Sequence, residues 1–462
     1  MAKTFNPLEY AVLKQTEVVQ EVNVSATERL HTITKKVRAY LRDRHRESFA
    51  RSVIDPKTRE ELKTVISDYI HQLPNLCIPT LEKESLIKTV QQEILYFGPI
   101  QKALDDPLVT NIDVNTPYDV FIERDGEEEF RPDLAFHDEI HLENVINKML
   151  IPDGKSLTAN EPHVDSLFDN YRVCAVLGVK QGGIATESTC VSIRKFSEET
   201  ISPEDLVRLG TMSQEMDDFF CDVIPCANCI IAGATNSGKT TTLISFPLYF
   251  EKNTRIITIE DSPEMMLRRK KAYREYRNIV SLQTKDHENP EKRYDIAKLT
   301  KVSLRMRPWK IIVGEVRDGQ AARQTHEAMN TGHNCYVTLH ASSARNAATR
   351  IVQLAGDGYN DEAIAAQLAD TVDLIIFQQK IKKSRIITEV VELIGYEGAK
   401  HPLCTTLFKF VQTGISKDDY VLGYHQRVNG ISKELAGKMQ VNMIPKERIR
   451  KWQYLNKREK RR

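Results

Sequence analysis

The stretch CIIAGATNSGKTTTLISF, residues 229–246, decides how this chain is read. The apolar run Cys229–Ala232 leads into Gly233-Ala234-Thr235-Asn236-Ser237-Gly238-Lys239-Thr240, which satisfies G-x-x-x-x-G-K-[ST] in full. Thr241 follows and opens a segment with helical character. The chemistry needs this layout. Glycines let backbone N–H groups curl around a phosphate, and a helix N-terminus adds a favourable dipole. Lys239 is placed for the β- and γ-phosphates of a nucleotide, and the Thr240 hydroxyl for its Mg²⁺. Pro247 falls where the helix should continue, which predicts a shortened or kinked helix.

Outward from the loop, residues 216–398 alternate short apolar strands (RIITIED, KIIVGEV, CYVTLHA, DLIIFQQ, RIITEVVEL) with helical segments such as GQAARQTHEAMN. This alternation predicts βαβ units and a mainly parallel sheet, with an antiparallel edge at the closely spaced last pair. Strand C-termini in such a sheet share one edge with the phosphate loop. Glu260 and Glu315 each follow a strand, where a carboxylate can hold a metal-bound water or orient the attacking one. Exposed acidic residues at strand ends are also common, so spacing leaves both readings open. His333 and His340 bracket a fourth strand; either could contact a γ-phosphate, or be an ordinary structural histidine.

Around this domain, residues 1–80 read as a charged helical leader, packed on a neighbour or docking a partner. Residues 85–196 read as an α+β domain, 197–215 as a linker ending in a short helix, and 399–462 as a less periodic extension. The basic tail Lys446–Arg462 has nine Lys/Arg against Glu447 and Glu459, a local net of +7, so the rest carries −6 against an overall +1. That tail is read as a solvated end that frays, or as a contact to anionic lipid. A near-neutral chain lacking a basic, aromatic-studded groove argues against a nucleic-acid translocase, and no stable nucleic-acid partner is expected. No apolar run is long enough to cross a bilayer, the N-terminus lacks a signal-peptide core, and eight scattered cysteines suit a reducing compartment. The expected location is cytoplasmic.

Four patches, GATNSGKT, IITIEDSPEM, SLRMRPWKIIVGEVRDGQAA and MNTGHNCYVTLHASSA, resemble in this order the Walker A loop, Asp box, Walker B strand and His box of the type II/type IV secretion ATPase superfamily. The stretches FGPIQKALDDPLVTNIDVNTPYDVFIERDG and CVSIRKF resemble the N-terminal domain of CpaF-like members (Tad pilus and related VirB-type traffic ATPases). The resemblance implies a RecA-like P-loop domain preceded by a smaller α+β domain, ATP and Mg²⁺ as ligands, and a homo-oligomer, a hexamer. It also implies work beside an inner-membrane platform protein, at the inner face of the cell membrane. The function implied is an ATP-hydrolysing motor for protein secretion or pilus assembly, with a conjugative type IV secretion ATPase as the alternative. It assigns water activation to Glu315, a place near the metal to Glu260, the His-box role to His340 and less directly His333, and phosphate contacts to Arg172 and Arg194. Asn236 departs from the usual loop glycine, a substitution the loop tolerates. Cys226 and Cys229 form a CxxC with no second pair, so the four-cysteine zinc module of some members is not expected.

Overall fold

Apolar residues spaced by four set the first layer of the structure, a computed structural model that describes residues 29–454 apart from 31, 54, 74–79, 169, 184, 197, 288 and 357–359. Ile33, Val37 and Leu41 lie on one face of the segment 29–44. Leu62, Ile66 and Ile70 lie on one face of the helix Pro56–Gln72, and both rows are buried with Ile87, Val90 and Ile94 of the helix Thr80–Leu95. Asp55 fixes the start of Pro56–Gln72 by accepting from the Lys57 N–H at 3.0 Å, with Pro56 at the first helical position. The chain divides into two compact units between Ser197 and Glu198.

In the first unit six antiparallel strands follow this helical cluster: β1 (Val109–Thr116), β2 (Asp119–Arg124), β3 (Glu127–Phe130), β4 (His163–Phe168), β5 (Tyr171–Val176) and β6 (Cys190–Lys195). Their order is β3-β2-β1-β6-β5-β4. The helix Glu139–Leu150 shares one core with the sheet through Leu142, Ile146, Ile112, Val173 and Ile193. Lys148 ties that helix to the preceding cluster, its buried Nζ donating at 2.6 Å to the carbonyls of both Ile94 and Tyr96. Burial lowers its pKa to about 7.

The second unit is built on nine strands: β7 (Cys229–Gly233), β8 (Ile256–Glu260), β9 (Ile279–Gln283), β10 (Lys310–Val313), β11 (Asn334–His340), β12 (Leu374–Ile381), β13 (Ser384–Glu397), β14 (His401–Ile415) and β15 (Val421–Arg427). The order is β15-β14-β13-β12-β7-β11-β10-β8-β9, parallel from β12 to β9 and antiparallel from β12 to β15. Every residue of β7, β8 and β10 is buried, which is why these strands read as unbroken apolar runs. Alternate side chains divide between two faces: Ile231, Ile256, Ile312 and Tyr336 on one, Ile230, Ile257, Ile311 and Val337 on the other. The expected fold class holds for the described residues: a mainly parallel P-loop α/β domain preceded by a smaller α+β domain, with helices ahead of it from residue 29, while residues 1–28 of the expected helical leader lie outside the described residues.

Three expectations need correction. Residues 198–215 are built into the second unit. Ser202 and Asp205 form a reciprocal capping box on the helix Pro203–Arg208, Leu206 and Met212 enter the core, and the Ile387 N–H donates to the Thr211 carbonyl. The antiparallel pair β12–β13 is not an edge, because β14 and β15 carry the sheet two strands further. Residues 399–454 therefore complete this domain rather than trail from it. Their strands bury few residues, Leu407 and Phe408 of β14 and Arg427 of β15.

The basic tail also begins as structure. Helix Lys446–Gln453 buries Ile449 and Trp452, and the Trp452 Nε1–H donates to buried Asp222 at 2.7 Å. Arg448 pairs with the same carboxylate, and buried Arg427 donates to the carbonyls of Lys451 and Tyr454 at 2.8 and 3.1 Å. Residues 455–462 lie outside the described residues. Trp452→Ala should cost about 3–5 kcal/mol of unfolding free energy, because it empties a fully buried site. Trp452→Phe should cost less, about 1–3 kcal/mol, since it keeps the ring but removes the N–H donor from Asp222. Urea titration of the full chain gives the order; equal stability of all three proteins would show that this helix is not part of the core.

Candidate nucleotide site

β7 lies between β11 and β12, and the register places His340 opposite Gly233. The C-terminal ends of β7, β8, β10 and β11 thus bring Gly233, Glu260, Glu315 and His340 to one edge of the sheet. Close approach explains the loop glycines. A Cβ on Gly233 would stand 2.1 Å from the Gln378 carbonyl oxygen, and one on Gly238 2.8 Å from Gln378 Nε2. Gly238 also holds φ +94° and Asn236 φ +59°, a left-handed value that asparagine adopts more readily than most residues. The helix that follows runs only from Lys239 to Ser245 before Phe246–Tyr249, with Pro247, tightens into a 3-10 turn. Thr240 and Thr241 stand in its first turn, half-buried, and Thr242 is buried with its hydroxyl donating to Gln378 Oε1 at 2.8 Å.

Lys239 is more enclosed than a motif lysine read from sequence suggests, at 7 % exposure. Its Nζ donates to the carbonyls of Gly233 (3.1 Å) and Ala234 (2.8 Å) and lies 3.5 Å from His340 Nδ1. Burial lowers its pKa, while the negative charges of Glu315 and Glu264 pull it back up. On the other side of the imidazole, His340 Nε2 is 2.9 Å from Glu315 Oε1. The His340 pKa is lowered, first by burial and then by the Lys239 cation, against the opposing pull of Glu315. A neutral ring fits both contacts in one tautomer: Nε2–H donates to Glu315 and Nδ1 accepts from Lys239. Arg317 holds the second oxygen of Glu315, Nη2 to Oε2 at 2.8 Å, with Asp261 3.7 Å from its Nη1. The loop lysine, the histidine and the carboxylate form one hydrogen-bonded chain.

Glu260 sits apart from that chain. It is 3 % exposed, and its Oε1 accepts from the Met265 N–H at 2.6 Å. Burial raises its pKa to about 7, with repulsion from Glu264 adding to the rise and backbone N–H donors opposing it. A Mg²⁺ site here fits the residues present only as a nucleotide-borne ion. Among the described residues no group of three or more His, Cys, Asp or Glu is gathered to hold a metal alone. Thr240 in the first turn after the loop and Glu260 at the end of β8 match the expected pattern of few protein ligands plus phosphates.

The remaining predicted residues separate. His333 precedes β11 while His340 ends it, so the two stand at opposite edges of the sheet, on the order of 20 Å apart for a seven-residue strand. A histidine at the N-terminal edge cannot share the loop of its own chain; His333 Nδ1 instead faces the Thr331 hydroxyl at 3.0 Å. Arg172 and Arg194 belong to the first unit, where they are directly paired across β5 and β6. Arg172 forks onto Asp165, with Nη2 to Oδ2 at 2.7 Å and Nε to Oδ1 at 3.2 Å, and Arg194 is exposed. Sequence reasoning missed Gln378, Arg317 and Arg385, whose Nε donates to the Asn236 carbonyl at 3.2 Å. The polar Gln378-Gln379 that interrupts the apolar run of β12 was the available signal.

Residues 95–401 match the family model described as type II/IV secretion system protein. Among relatives, the chain is 27% identical over 320 residues to the uncharacterized protein MJ0900 of Methanocaldococcus jannaschii, covering 69% of this chain and 55% of that protein. It is 32% identical over 210 residues to the conjugal transfer protein TrbB of Rhizobium radiobacter, covering 44% of this chain and 60% of that one. The chain thus spans little more than half the length of these relatives. The crystal structure of the Legionella pneumophila ATPase DotB is similar over 77% of this chain and 88% of its own, at 20% identity and a TM-score of 0.48. With the family match running from the first unit through the phosphate loop and the strand ends around it, the chain belongs to the type II/IV secretion system protein family.

Proposed function

We propose that this chain hydrolyses ATP as the motor of a secretion or pilus machine, working as a hexamer beside a membrane platform protein. The observation that carries the reading is the Lys239–His340–Glu315 chain at the mouth of the phosphate loop. Phosphoryl transfer to water needs positioning and charge stabilisation rather than a covalent protein intermediate. Glu315, hydrogen-bonded by His340 and Arg317, is placed to orient a water and take its proton. His340, neutral and bonded to both groups, couples the state of that carboxylate to the lysine that meets the phosphates. Mg²⁺, when bound with ATP, supplies charge neutralisation at the phosphates; Thr240 and Glu260 are the residues set to hold it. Arg172 and Arg194, paired across β5 and β6 with Asp165 on the Arg172 fork, are given their phosphate-contact role by the family resemblance.

The relatives named conjugal transfer protein favour conjugative secretion over pilus assembly as the machine served. Among the described residues no helix is long and apolar enough to cross a membrane, which is compatible with a peripheral position at its inner face.

Lys239→Ala should abolish ATP turnover, and retention of more than a few per cent of wild-type hydrolysis would sink the assignment. Glu315→Gln should keep ATP binding and lose hydrolysis; loss of binding as well would show that the carboxylate holds the loop rather than the water. Arg172→Ala and Arg194→Ala should lower kcat more than nucleotide affinity, by about 10³-fold at the extreme seen for arginine fingers. Wild-type turnover in both mutants would remove them from the mechanism.

The pH dependence follows from Glu260. Burial raises its folded pKa to about 7, so in the nucleotide-free chain the proton leaves and the ionised form grows as pH rises through 7. For stability the sign is opposite: the folded state gains from this proton below the unfolded carboxylate pKa and loses that gain as pH climbs to about 7. The expected profile is a kcat/KM that rises across pH 7 in the wild type, with that limb absent in Glu260→Gln. A wild-type profile flat between pH 6 and 8 would contradict it.

A further inference from the structure

The phosphate loop has two flanks with different chemistry. On one side of β7 stands β11, then β10, carrying His340 and Glu315. On the other stands β12, paired with β13 through a tight hairpin in which Ile381 faces Ser384 and Lys382 holds φ +55°. The hairpin places two side chains against the loop. Gln378, 1 % exposed, accepts from Thr242 and packs on Gly233 and Gly238. Arg385 crosses from β13, its Cδ 3.1 Å from where a Cβ on Gly238 would lie and its Nε on the Asn236 carbonyl.

Arg385 is exposed, and among the described residues its guanidinium is paired with no carboxylate; its one hydrogen bond is to the loop itself. Nη1 and Nη2 are left on the rim of a loop shaped for phosphate. The element that presents it is braced: the Val421 N–H donates to Ser384 Oγ at 3.0 Å, the Lys383 N–H to the Asp419 carbonyl at 3.2 Å, and His425 Nε2 reaches the Ile387 carbonyl at 2.9 Å. Lys380, its direct cross-strand neighbour, is a second cation on the same hairpin. An arginine fixed through Nε at such a rim keeps its charge at every relevant pH and offers a planar fork to phosphate oxygens.

Because the water-activating groups lie on the β10–β11 flank, the γ-phosphate belongs on that side, and the part of the nucleotide that is not transferred extends toward β12 and β13. We propose that Arg385 binds the α-phosphate of the nucleotide, serving affinity rather than the chemical step. The proposal rests on the ATPase reading given above. Contact made equally in substrate, transition state and ADP changes KM and leaves kcat alone.

The test is nucleotide binding and steady-state hydrolysis by the full-length wild-type chain and by Arg385→Ala, Arg385→Gln and Arg385→Lys. Affinities for ATP, ADP and 2′,3′-dideoxy-ADP are read by calorimetry in Mg²⁺. Arg385→Ala and Arg385→Gln should weaken ATP and ADP alike, roughly ten- to a hundredfold, with kcat at saturating ATP within about twofold of wild type. Arg385→Lys should fall between, keeping charge but losing the fork, and the loss should persist for the dideoxy nucleotide. Unchanged ADP affinity in both neutral variants overturns the proposal, as does a loss confined to ATP with a fallen kcat, which would place Arg385 at the γ-phosphate. A loss that disappears with dideoxy-ADP assigns the contact to the ribose and also overturns it. Failure of the wild-type chain to bind any nucleotide overturns the reading of the loop itself, and this proposal with it.

Discussion

β7 is hydrogen-bonded on both sides along a fully buried strand, and the active edge depends on that constraint. In-register parallel pairing with β11 and β12 leaves the loop after Gly233 no freedom to slide, since a shift by one residue would turn Ile230 and Ile231 to the wrong faces of the sheet. The same pairing sets Gly233 opposite His340, so the distance between lysine and histidine is decided by strand register. Side-chain chemistry at the mouth of the loop is therefore inherited from the most rigid part of the molecule.

Much of this was legible because the physics is local. A strand, a glycine-rich turn and Lys239 shortly after Gly233 announce themselves, and the acidic ends of RIITIE and KIIVGE mark the edge they share with the loop. What was not legible depends on pairing across distance. Gln378 and Arg385 look like ordinary polar residues of two strands until the hairpin and the β7–β12 pairing bring them to the loop. His333 and His340 look equivalent in sequence, and only strand direction separates them. Residues 198–215 and 399–454 lacked strong apolar periodicity because each element commits few residues to the core, such as Leu206, Met212, Phe408 and Trp452. Their helix caps at Ser202, Ser213 and Ser432 are the local signals these segments carry.

Electrostatics at the site follow burial more than formal charge. Two carboxylates stand at neighbouring strand ends, yet Glu315 is met by His340 and Arg317 while Glu260 is surrounded by core and backbone N–H groups. Burial raises the pKa of the second to about 7, so two carboxylates of like sequence setting stand in unlike environments.

The contact between Asp222 and Trp452 spans 230 residues of sequence. A contact between residues so distant in sequence carries a large loop-closure cost and forms late. On a ribosome, residues 214–223 would wait through nearly the whole synthesis of the domain before the helix at 446–453 arrived to cover Phe219 and satisfy Asp222. A chain interrupted before residue 446 would present that open core to chaperones and proteases. Completion of the helix thus acts as a built-in proof that the whole second unit has been made.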